Sequence, residues 1–222
     1  ADVTILGAGV FGLSIAFCCA QRGARVRVID PAGVASGASG GIVGALAPHT
    51  PDLWLPKKQF QLESLLYSRS FWPEVEAISG LSTGFANQGR LQPINEERLI
   101  ALALSRIVDA EKNWGNKAVW EVMSANKAGE WAPPSATGQL IHDTLSAHIH
   151  PQKATQALGR AVENLGGVIT TAGARQGAIL DARGWQGLVE MSEDLGQEIG
   201  NGVKGQAALL DFARHDEPQL FA

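Results

Sequence analysis

Three glycines and one acid near the start of the chain have the types and spacing of a nucleotide site. Gly7-Ala8-Gly9-Val10-Phe11-Gly12 follows the apolar run Val3–Leu6 and opens an Ala-rich apolar stretch from Leu13 to Gln21. Between a strand and a helix, the first glycine permits a tight turn. The second lets backbone approach a pyrophosphate, and the third lets helix pack on strand. The helix N-terminus then presents unpaired N–H groups and a partial positive charge to phosphate. Asp30 closes a second run, Arg25–Ile29, where a carboxylate accepts hydrogen bonds from ribose hydroxyls and repels the extra phosphate of NADP. A tight β-turn-α connection without ligand has the same glycines. The order strand, helix, strand, acid favours a dinucleotide.

A second stretch bears on which dinucleotide. Gly33 to Pro48 holds five glycines, and apart from serine nearly everything else in it is small or aliphatic. An NAD domain would continue there with a regular helix. A backbone trimmed this far suits packing against a flat ring system, with amides offered to its heteroatoms, and a flavin is the natural candidate. A flexible Gly/Ser linker is the alternative. Ile42, Val43 and Leu46 argue against it as apolar anchors.

Other reactive residues are weaker candidates. Cys18 and Cys19 sit mid-helix, where cysteine acts as a small hydrophobe. As neighbours on a helix they are poor disulfide partners. His142, His148 and His150 lack the Cys or carboxylate partners of a metal site and read as polar residues before a helix starting at Pro151. His49 is a candidate to face a substrate cavity. The six tryptophans, at 54, 72, 114, 120, 131 and 185, read as core and interface residues. No residue is assigned a catalytic role and none a metal.

These groups need elements to hold them. Strands are expected at Val3–Leu6, Arg25–Ile29, Phe85–Ile94 (with a turn at Gly89) and Val168–Thr171, and a short apolar run at Ala178–Leu180. Helices are expected at Leu13–Gln21, Lys57–Trp72, from an Asn95 cap to about Asn113, and at Pro151–Leu165. Residues 114–138 read as loop. The first three elements make a βαβ unit. The helix and strand at 151–171 can rejoin its sheet, so 50–150 reads as an insertion. The expected fold is α/β: a Rossmann-type FAD-binding domain from 1–50 and 151–200, with an inserted α+β substrate domain from 51–150 and 201–222, incomplete at the C-terminus.

The chain of 222 residues, 45% hydrophobic with a net charge of −4, has no electrostatic case for nucleic acid or an anionic membrane. No apolar run is long enough to span a membrane. With two cysteines and nothing ahead of the first strand that reads as a signal peptide, the expected setting is cytoplasmic. The oligomeric state stays open, a homo-oligomer included.

ILGAGVFGLSIAF, VIDP and ASGASGGIVGALAPH together resemble the D-amino acid oxidase superfamily of FAD enzymes, and within it the glycine oxidases. TGFANQGRLQPI resembles that family's substrate-domain hairpin, HIHPQKATQAL its returning helix, AILDARGWQG its strand and Gly turn, and GVKGQAALL a later strand. The resemblance implies FAD contacts at Gly7, Gly9, Val10, Phe11 and Gly12 at the pyrophosphate turn, and at Asp30 on the adenosine ribose, with Pro31 beside it. Ala38 and Ser39 would lie near the phosphates and ribityl chain, and Val43, Gly44 and Ala45 beside the isoalloxazine. Backbone near Arg175 would touch adenine, and Gly184 would sit in the Gly turn. It implies hydride transfer from a small amino acid or amine to flavin N5, with oxygen regenerating the flavin and imine, ammonia and peroxide as products. Sarcosine-type or dehydrogenase-type amine oxidation is the alternative, as is a chain that only binds nucleotide. With glycine as substrate, the imine would feed thiamine biosynthesis. Two departures stand out. Almost nothing lies between Thr171 and Ala178, where the family has a small excursion of strands. The family's further segment, with an Arg for the substrate carboxylate, would lie beyond Ala222, so FAD binding is expected to be weak or absent, and turnover absent.

Overall fold

The computed structural model describes residues 1–211 and 217–221. In chain order the elements are β1 (Val3–Leu6), α1 (Val10–Gln21), β2 (Val26–Ile29), β3 (Ala45–Leu46), α2 (Pro56–Ser79), β4 (Arg90–Ile94), α3 (Glu97–Trp114), β5 (Trp120–Ser124) and β6 (Gln139–Asp143). They continue with β7 (Ala147–His148), α4 (Pro151–Asn164), β8 (Val168–Thr170), β9 (Ala178–Asp181), α5 (Trp185–Leu195) and β10 (Gln219–Leu220). The chain divides into two compact units. The first holds Ala1–Gly44, Trp72–Gly84 and His150–Leu210. The second holds Ala45–Phe71, Phe85–Ile149 and the chain from Asp211. Of the 201–222 segment expected in the substrate domain, residues 212–216 and 222 lie outside the described residues.

In the first unit the strands are parallel, in the order β8-β2-β1-β9 among the described residues. β2 pairs β1 from Val3↔Val26 to Leu6↔Ile29, and β8 joins beside β2, so the helix and strand after Pro151 do rejoin the opening βαβ unit. Side chains alternate across the sheet. Ile5, Val26 and Val28 are buried on the face that α1 covers, and a Cβ on Gly12 would stand 3.2 Å from Ile5 Cγ2. Thr4, Leu6, Arg27 and Ile29 point the other way. There residues 171–177 cross from β8 to β9 with no helix of their own.

In the second unit β4, β6 and β5 are antiparallel, and β10 adds to β4 in parallel. One face packs on α3 and on Leu62 and Leu65 of α2, through Ile94, Ala103, Trp114, Trp120 and Ile141. A buried ion pair joins the strands: Arg90 Nε donates to Asp143 Oδ2 at 2.8 Å. Asp143 also accepts from the Ser146 amide and hydroxyl, so its oxygens are satisfied in the low-dielectric interior.

Five local expectations are revised. α2 runs past Pro73 to Ser79, because burial of Phe71, Trp72 and Val75 outweighs the lost N–H. Asn95 does not cap α3. Its Oδ1 accepts from the Ala136 amide at 3.2 Å, and the helix starts at Glu97 behind Glu96. The 114–138 stretch contains β5, which pairs along all of β6. Gly202–Leu210 is not a strand, since no described strand offers it a ladder partner. Trp185–Leu195, for which the sequence alone named no element, is a helix, stopped by Gly196 in the left-handed region at φ 64°. The strand expected from Phe85 begins only at Arg90, after Gly89, whose φ is +77° and where a Cβ would meet Asp143 O at 2.4 Å.

Candidate cofactor-binding cleft

Parallel strands place their carboxyl ends together, and in the first unit a cleft of about 820 Å³ opens there. Leu6 and Ile29 end its floor. Gly7, Gly9, Val10 and Phe11 form one wall, Asp30 and Pro31 another, and Ser36–Ser39, Thr171–Gly173, Arg175 and Ala182–Gln186 close it. Ten of the sequence-nominated positions therefore meet: Gly7, Gly9, Val10, Phe11, Asp30, Pro31, Ala38, Ser39, Arg175 and Gly184. Gly12 lies one layer below. Val43, Gly44 and Ala45 are not among the lining residues. Val43 is 67% exposed and so is not an apolar anchor, while Ala45 pairs with His148 in the second unit.

The glycines have individual causes. Gly7 has φ +106°, and a Cβ there would stand 2.4 Å from Ala182 O, at the turn after β9. A Cβ on Gly12 would sit 2.0 Å from Gly7 O, so only glycine lets α1 start this close to β1. A Cβ on Gly9 would meet Ser39 Oγ at 3.1 Å. That closeness has a purpose within the fold. The Val10 N–H donates to Ser39 Oγ at 2.9 Å, capping α1 from a distant part of the chain, since Gly9 has no side chain to do so. Part of the smallness of 33–48 is internal too: a Cβ on Gly40 would strike Ala35 O at 2.3 Å.

α4 holds the small-residue stretch in place. The Gln152 amide donates to Gly41 O at 3.3 Å, and the buried Thr155 hydroxyl lies 3.5 Å from Ser39 O. Asp30 is braced as well. The Ala8 N–H donates to Oδ2 at 2.8 Å and the Ala32 N–H to Oδ1 at 3.0 Å, so one carboxylate fixes both the glycine turn and the turn after β2. Each oxygen keeps a lone pair for a ribose hydroxyl.

The far wall carries a charge cluster that motif reading passed over. Arg183 Nη2 donates to Asp181 Oδ2 at 2.6 Å, its Nε bonds both oxygens of Asp181, and its Nη1 bonds Glu190 of α5. Those bonds hold the Asp181 carboxyl below the usual carboxylate range, with Arg175 adding to the effect by its charge, and they hold the guanidinium above its ordinary value. Gly187 makes room, since a Cβ there would lie 2.9 Å from Arg183 Cβ. The hint in the sequence was the acid–base alternation Asp181-Ala182-Arg183 beside Gly184. The cysteines and histidines stand elsewhere. Cys18 and Cys19 are half-buried on α1. His150 Nδ1 accepts from the Lys153 amide at the start of α4, His142 Nδ1 pairs with Glu121 at 2.8 Å, and His49 pairs with Gln61. His148 is half-buried, which pushes its pKa down. Among the described residues no helix is long and apolar enough to cross a membrane.

The residue set fits the ADP half of a dinucleotide: a capped helix N-terminus, an acid with free lone pairs, and an arginine on one rim. The model of the DAO family, described as FAD dependent oxidoreductase, matches residues 2–200. The chain belongs to this family. It is 36% identical over 103 residues to the bifunctional protein ThiO/ThiG of Trichormus variabilis, a match covering 43% of this chain and 15% of that protein. Over 69 residues it is 36% identical to the tRNA 5-methylaminomethyl-2-thiouridine biosynthesis bifunctional protein MnmC of Leptospira interrogans, covering 31% of this chain and 11% of that one. Its fold is similar to that of glycine oxidase from Geobacillus kaustophilus, with a TM-score of 0.70 at 19% identity over 88% of this chain. The chain spans only 58% of that structure, and far less of the two curated relatives. The family has the α/β fold with a Rossmann-type FAD-binding domain, as the parallel sheet here displays.

Proposed function

We propose that the first unit binds FAD in this cleft and that the chain serves oxidative deamination of glycine or a small D-amino acid, with oxygen as acceptor. The second unit is then part of the substrate domain. The observation that carries the proposal is the meeting of Gly7, Gly9, Asp30, Ser39 and Arg175 at the carboxyl ends of β1 and β2. FAD, when bound, supplies the two-electron acceptor for oxidation of an amine carbon. This chain's residues bind and orient it. Asp30 takes the adenosine ribose, and the first turn of α1 and the Ser39 hydroxyl take the pyrophosphate. Glycine oxidases among its fold relatives support the substrate class.

The test is a flavin titration of the purified chain. A saturable change in flavin fluorescence as the chain is added, without matching NAD binding, is the expected result. A flavin signal that stays unchanged at high chain concentration overturns the proposal. In a longer version that carries the segment expected beyond Ala222, anaerobic bleaching by glycine, D-alanine or sarcosine, followed by peroxide on readmitting air, then identifies the substrate.

A further inference from the structure

The crossover from β8 to β9 is unusual in its support. Parallel strands are ordinarily joined by a helix that packs on the sheet with apolar side chains. Here residues 171–177 cross the open face of β2 and β1, held by polar side chains: the Thr170 hydroxyl bonds the backbone of Ala172, and Thr4 and Arg27 reach up from the strands beneath. Thr4 is fully buried in the middle of the sheet. Its hydroxyl donates to Gln176 O at 2.6 Å and accepts from the Gln176 amide at 2.9 Å, so a single side chain satisfies both backbone groups of one loop residue. Arg27, on the neighbouring strand, donates from Nη1 to Ala174 O at 3.1 Å. Its Nε is buried without a partner, the cost of placing a guanidinium there. Gly177 seals the end: with φ +68°, a Cβ would lie 2.0 Å from Asp2 O.

Ala174 and Gln176 are held by the sheet, while Gly173 and Arg175 line the cavity. Arg175 thus lies between two residues held by the strands, while its own side chain lines the cavity. We infer that Thr4 and Arg27 are positioning residues for the adenosine end of the cofactor, acting through Arg175. The inference rests on the FAD proposal. Neither residue lines the cleft, so neither touches the ligand. A planar guanidinium at Arg175 can stack on a purine or fork onto a phosphate, and both contacts belong to the ADP half of FAD.

The test uses ADP, which is redox-inert, alongside FAD and FMN. Thr4→Val keeps the shape and removes the hydroxyl. Its expected effect is about a tenfold weaker dissociation constant for ADP and FAD, the scale of one or two displaced hydrogen bonds, with FMN unchanged. Thr4→Ser restores the affinity. Arg27→Met, which lacks the Ala174 bond, weakens ADP in the same direction and serves if Thr4→Val folds poorly. In an Arg175→Ala background the Thr4→Val effect disappears, because the clamp then has nothing to position. Trypsin cutting after Arg175 reports the loop independently of any ligand and speeds up in Thr4→Val. Full additivity of the Thr4 and Arg175 effects overturns the inference, as does unchanged ADP affinity in a protein that still binds FAD. A wild-type chain that binds neither FAD nor ADP sinks the FAD proposal and this inference together. Faster trypsin cutting in Thr4→Val would then leave Thr4 with a purely structural role.

Discussion

Asp30 is bonded to the protein itself before any ligand arrives, and that has a measurable consequence. In Asp30→Asn one of the two carboxylate oxygens becomes an NH2 group. Whichever way the amide turns, either the Ala8 N–H, now at 2.8 Å, or the Ala32 N–H, at 3.0 Å, faces a donor in place of an acceptor. Losing a charge-assisted bond of this kind costs about 1.5–3 kcal/mol, and the surviving bond weakens as it becomes neutral. Asp30 is half-buried, so solvent recovers part of the loss and about 2 kcal/mol remains. For a chain of this size that lowers the thermal midpoint by roughly 4–8 °C. The assay is circular dichroism melting of the FAD-free protein, where a residue that only holds ribose would contribute nothing. A midpoint for Asp30→Asn within a degree of wild type would refute the bracing role and leave Asp30 as a ligand group alone.

Three further outcomes follow from the geometry. Asp2 is held down to about 2 by its side-chain hydrogen bond with Arg25, so its contribution to stability is present above the ordinary carboxylate range and lost as pH falls through about 2. Asp2→Asn should flatten that acid limb in a melting-versus-pH series, and a wild-type NMR titration with an ordinary midpoint would contradict it. Ala35 sits at φ 59°, in the left-handed region, so Ala35→Gly should raise the melting midpoint by about 2 °C as roughly 1 kcal/mol of strain is relieved. A lower midpoint would mean that the alanine methyl packs well enough to outweigh the strain. Gly89→Ala places a Cβ 2.4 Å from Asp143 O at positive φ, and should destabilise the second unit by more than about 3 kcal/mol, read as a fall in the denaturant midpoint. An unchanged midpoint would show that the β4–β6 strand pair can shift to make room.

Local sequence determined the opening of this protein. Val3–Leu6, the glycine turn, α1, β2 and Asp30 lie within thirty residues, and each follows from near-neighbour rules: apolar period, φ > 0 at Gly7, and no room for a side chain at Gly12. α4 and β8 were legible for the same reason. What the sequence left out are features made by distant pairs. β5 becomes a strand because β6 offers it a ladder, while Gly202–Leu210 finds no such partner and stays irregular. Asn95 has the chemistry of a cap, yet its oxygen goes to Ala136 across the loop. Ser39 reads as one small residue in a small-residue run, and only folding brings its hydroxyl to the start of α1. Thr4 and Gln176 are the extreme case. Nothing in either neighbourhood announces the bond between them, because hydrogen bonding depends on separation in space, which the sheet sets when it lays β1 beneath the crossover.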